Sequence, residues 1–94
     1  MAAITKEDVL AALQGNSPHA MDLVCAWTEQ QEKLVATSRD AIILNISRAD
    51  LYVAADDRGG AIDCLNDALY QARQEGENLL CKQIEERIVD IVMG

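Results

Sequence analysis

Hydrophobic residues recur along this chain at helical spacing, in blocks separated by short stretches of glycine, proline or capping residues. In the first block Ile4, Val9, Leu10 and Leu13 form one apolar side. Thr5 stands at the expected N-cap, and Asp8, three residues on, is placed to return the hydrogen bond. Gly15-Asn16 ends this helix after about ten residues, short enough that it persists only when docked. Ser17-Pro18 predicts the start of the second helix, with serine as the cap and proline at the first helical position, where its missing N–H costs nothing.

From His19 to Asp57 the chain has no glycine and no proline. Met21, Val24 and Trp27 form a stripe, and the run Thr28 to Lys33 is then polar on every side. That run is either solvated helix or a break. Thr37-Ser38, with Asp40 following, is the favoured break. The alternative is one rod from Pro18 to Asp57, about 60 Å long against the ~25–30 Å breadth of a globule this size. The next helix, Asp40 to Asp57, carries Ile42, Ile46, Ala49 and Val53 on one stripe and Ile43, Leu44 and Leu51 elsewhere, so it is expected to be central. Arg58-Gly59-Gly60 is expected to form a tight turn. A helix from Ala61 to Gln74 follows, with Ile62, Leu65, Leu69 and Ala72 inward, and Glu75-Gly76 closes it with glycine in the left-handed position. The last helix, Glu77 to Met93, shows Leu80, Ile84, Ile88 and Ile91. Short turns between helices imply antiparallel neighbours. The expected fold is all-α: a small bundle of four to five antiparallel helices, in one domain spanning residues 1–94.

Composition agrees with this expectation. Of 94 residues 14 are alanine, 10 leucine and 8 isoleucine, against one tryptophan, two tyrosines and no phenylalanine. Short aliphatic side chains let helix axes approach closely. One proline and five glycines are too few for the turns of a small all-β domain.

Ala49, Tyr52, Asp57, Ala61, Leu65 and Ala68 fall at offsets that alternate small and bulky residues over a helical hairpin. On these residues the stretch from about Ile42 to Glu75 resembles a single tetratricopeptide repeat, a 34-residue helix–turn–helix family. The resemblance implies a close crossing at Ala49, Ala61 and Ala68, with Tyr52 and Leu65 filling the space beside it. The chain departs from the family pattern at Asn45, Arg48, Asp56 and Arg73. It has no second repeat, so flanking helices would have to cover the hairpin.

Sixteen acids against eight bases give a net charge of −8. Such a surface is ill suited to phosphate backbones and anionic membranes. The acids concentrate towards the C-terminal half, where Asp63, Asp67, Glu85, Glu86 and Asp90 define a candidate acidic face for a basic partner. Trp27 and Tyr52 are the candidate aromatic anchors of an interface, although a lone tryptophan is more often core.

Catalytic or metal chemistry finds little support. His19 is the single histidine and is expected on the surface, six residues from Cys25 and on a different helical face. Cys25, Cys64 and Cys81 form no C-x-x-C pair and are expected as buried small hydrophobes. Asp56 to Asp63 lacks oxygen ligands at alternate positions, which a calcium loop needs. The acids around Gly59-Gly60 oppose an anion there. No metal, cofactor or catalytic residue is therefore assigned. The chain shows no secretory signal and no apolar run of transmembrane length, so a cytoplasmic protein is expected.

These features point to a non-enzymatic protein–protein interaction module, a small acidic adaptor or chaperone whose partner is a protein that is basic or presents a helix. By fold-level analogy it is similar in size and charge to type III secretion chaperones. Two alternatives stand beside this expectation. One is an acidic, phage-encoded anti-defence inhibitor that mimics nucleic acid. The other is a structural homo-oligomer, with a homodimer the simplest form.

Overall fold

A computed structural model describes residues 3–94 of the chain. Among them are five helices and no strand: α1 (Lys6–Gln14), α2 (Ala20–Leu34), α3 (Ser38–Ala54), α4 (Arg58–Gln74) and α5 (Asn78–Met93). The fold is all-α. Among the described residues no helix is long and apolar enough to cross a membrane.

Local chemistry sets the boundaries. The Thr5 hydroxyl accepts from the Asp8 N–H at 3.1 Å, and the Asp8 carboxylate accepts from the Thr5 N–H at 3.2 Å. Thr37 and Asp40 repeat this reciprocal pair at 3.1 and 3.2 Å, so the long tract without glycine or proline breaks between Leu34 and Ser38 rather than forming a rod. The polar run Thr28 to Lys33 is helix within α2. Helices α1, α3 and α4 end alike. A left-handed residue (Asn16, Asp56 or Gly76) reverses the chain, and the next N–H returns to a carbonyl five residues back. These returning bonds join Ser17 to Ala12, Asp57 to Tyr52 and Glu77 to Ala72 at 2.8–2.9 Å.

Three expected boundaries are corrected. Helix α3 runs from Ser38 to Ala54 rather than from Asp40 to Asp57, because Thr37 caps its start and the left-handed Asp56 follows its end. Helix α2 begins at Ala20, because Ser17 spends its carbonyl on the Ala20 N–H (3.1 Å) and leaves Pro18 and His19 in a turn. Its buried stripe is therefore Ala20, Val24 and Trp27, and Met21 points outward. Arg58-Gly59-Gly60 is the first turn of α4, not the reversal. Asp57 caps it by accepting from the Gly60 N–H at 2.9 Å, and the preceding Asp56 supplies the positive φ.

The molecule measures 38 × 33 × 15 Å. The short dimension matches two helical layers, since an interaxial spacing of about 8–10 Å plus a Cα radius of about 2.3 Å on each side gives roughly 13–15 Å. Tyr52 lies against Gly60, and Asn45 donates to Gln71 at 3.0 Å, so α3 and α4 are antiparallel. Arg73–Glu85 and Arg58 on the Gly94 carbonyl set α5 antiparallel to α4. It follows that α3 and α5 run parallel, side by side, backed by α4. Helix α3 also meets α1 and α2 and is the central element.

The core has two clusters that share α3. One gathers Ile42 and Ala49 with Ala61, Cys64, Leu65, Ala68, Leu69 and Ala72 of α4 and Leu80 and Ile84 of α5. The other gathers Leu51 with Val9, Leu13, Ala20, Val24 and Trp27. The four buried alanines of the first cluster (49, 61, 68 and 72) let α3 and α4 come close.

Candidate functional site

The parallel helices α3 and α5 stand apart above α4 and leave a groove of about 420 Å³. Leu65 forms its floor, Ala49 and Val53 one wall and Ile91 the other. Asp50, Arg87 and Asp90 stand on the rim. The groove continues past Val53 and Ile91 into a depression of about 330 Å³ bounded by Asp56, Arg58 and Gly94. Helical spacing explains the lining: Ala49 and Val53 are four residues apart, as are Arg87 and Ile91.

The rim charges differ along its length. At one end Asp50 is held by two cations: Lys6 of α1 reaches one carboxylate oxygen at 2.8 Å, and Arg87 of α5 the other at 2.6 Å. Arg39–Glu77, at 3.0 Å, ties the same two helices near their first turns. At the other end Arg58 donates to the Gly94 carbonyl at 3.2 Å. Asp56 and Asp90 have no ion-pair partner among the described residues. The result is an apolar-floored trough that is net positive at the Asp50 end, where two cations meet one carboxylate, and net negative at the other, where Asp56 and Asp90 stand with Arg58.

The residues singled out from sequence are not gathered in one place. Asp90 lines the groove. Glu85 leans towards Arg73 of α4 at 3.5 Å, while Glu86 projects from α5 beside Lys82 and Val89. Asp63 and Asp67 lie one turn apart on the exposed side of α4. Tyr52 is half-buried against the first cluster, its ring filling the space over Gly60. Trp27 is a core residue, 5% exposed in the second cluster, and offers a partner only the edge that lines a shallow depression with Gln31, Leu34 and Ile43. Sequence reasoning missed Asp50, Arg87 and the role of Val53. The available signal was an acid set between two buried residues, Ala49 and Leu51, on the central helix.

The cysteines separate by exposure. Cys64 is buried, as expected, but Cys81 is only half-buried and Cys25 is exposed, because α2 covers only its Ala20–Val24–Trp27 stripe. Burial pushes the Cys64 thiol above its ordinary range. Arg48 opposes this shift, and Asp67, Asp63 and Asp57 add to it. A reactive thiol needs a shift in the opposite direction. His19 is exposed beside Asp22, with 3.7 Å between ring nitrogen and carboxylate. No group of three or more histidine, cysteine or acidic side chains among the described residues could hold a metal ion. No protein-family model matches the chain, and no curated protein or solved structure is significantly similar to it.

Proposed function

We propose that this chain is a non-enzymatic interaction module, an adaptor or chaperone that takes a segment of a partner protein into the groove between α3 and α5. The observation that carries this reading is the combination of an apolar trough with charged rims on a preformed scaffold. Such a trough accepts aliphatic or aromatic side chains, and its rims fix their orientation. Val53 is 47% exposed in the wall, an aliphatic surface left uncovered by the fold. Asp56 and Asp90 outnumber Arg58 at that end, which favours a basic residue beside the apolar one. The net charge of −8 would draw such a partner in at long range.

A photo-crosslinking amino acid at Val53, compared with one at Leu34 on α2, tests this in cells of the native host. One protein should be captured from Val53 and not from Leu34, and Asp90→Lys should reduce its capture. Equal capture at both positions, or capture unaffected by Asp90→Lys, would contradict the proposal.

A further inference from the structure

Helix α5 has a second surface, on the side turned away from Leu80 and Ile84. Leu79, Lys82, Glu86, Val89 and Met93 all lie on it, and all are exposed. Their spacing of three, four, three and four residues is that of a helix–helix seam. Leu79, Val89 and Met93 are 67, 56 and 80% exposed, so the apolar part of the seam is uncovered. Neither Lys82 nor Glu86 makes an ion pair among the described residues. Within the fold α5 packs on α4 and borders α3, and nothing packs on this outer stripe.

We infer that this stripe is a self-association surface whose partner is a second copy of the chain, paired antiparallel about a two-fold axis between Lys82 and Glu86. The order apolar, basic, acidic, apolar from Leu79 to Val89 is self-complementary in that register. Leu79 of one copy meets Val89 of the other, and Lys82 meets Glu86, each contact occurring twice as a two-fold interface requires. Two competing registers fail on charge. A parallel in-register pair sets lysine on lysine and glutamate on glutamate, and an antiparallel pair centred on Glu86 sets the two glutamates together. Of the groove residues, Arg87 and Ile91 lie on another side of α5, while Asp90 borders the stripe beside Glu86 and Val89, so dimerisation would leave the apolar part of both grooves open. This inference does not rest on the groove reading.

One helical seam buries less than a standard interface, so the dimer should be weak and visible only at high concentration. Sedimentation velocity from ~20 µM to ~1 mM spans the range of weak association. The wild type should shift from monomer to dimer across it. Lys82→Glu and Glu86→Lys should each weaken dimerisation about tenfold or more, because each replaces two attractive pairs by two repulsive ones. An equimolar mixture of the two variants should dimerise again, since one copy then offers two acids and the other two lysines. Both side chains changed here are exposed, and circular dichroism checks that the helices are retained. A wild type that stays monomeric throughout would overturn the inference. So would variants that dimerise as the wild type does, or a mixture no stronger than its components.

Discussion

Asp50 holds two cations at once, and through them three helices. Its carboxylate reaches Lys6 on α1 and Arg87 on α5 from the centre of α3. All three side chains are about one-third to one-half exposed, so solvent weakens each pair. The expected cost of Asp50→Asn is about 1–2 kcal/mol for the two pairs together. Urea unfolding should show the loss at low salt and a smaller loss at high salt, since screening weakens the wild-type pairs and eases the Lys6–Arg87 repulsion left in the variant. A loss independent of salt would mean that Asp50 acts by packing. This residue was hard to find in the sequence, because an acid's partners 44 and 37 residues away leave no local pattern. Trp27 was ambiguous for a related reason. Its helix is polar on one side and apolar on the other, and only the packing of α1 against α2 and α3 decides that its ring is covered.

At the scale of elements, helix ends were the most legible feature. Both reciprocal caps, Thr5 with Asp8 and Thr37 with Asp40, are local hydrogen-bond chemistry and were visible in four-residue windows. The start of α4 was not. Two consecutive glycines read as a turn, but Asp57 caps the helix and Gly60 is needed inside its first turn for space. A Cβ on Gly60 would come within 2.7 Å of the Asp57 carboxylate and 2.9 Å of the Tyr52 ring, whereas one on Gly59 would meet nothing closer than 3.8 Å. The two positions should therefore respond with opposite sign. Gly59→Ala should stabilise the protein by up to about 1 kcal/mol, the helix-propensity difference. Gly60→Ala should destabilise it by displacing the cap or the ring. Thermal unfolding of the pair checks this, and a stabilising Gly60→Ala would show that the α3–α4 contact is looser than described. Ala49, Ala61 and Ala68 are buried at this same contact.

At the scale of the whole molecule, the five helices form two layers in which α3 is shared by both core clusters. The all-α class followed from periodicity and composition, which depend on single helices. The groove did not, because it exists only where α3 and α5 stand apart over Leu65. Counting acids along the chain likewise located charge in the C-terminal half without revealing its division. The fold sends Asp63 and Asp67 to the exposed side of α4, Glu86 to the outer side of α5 and Asp90 to the groove. The central claim is that the last of these surfaces engages a partner. Backbone amide shifts of the labelled chain, recorded with and without the protein captured at Val53, test it most directly. The largest changes should fall on residues 49–53 and 87–91. Changes confined to Asp63, Asp67 and their neighbours on α4 would contradict the account and assign binding to the acidic exterior instead.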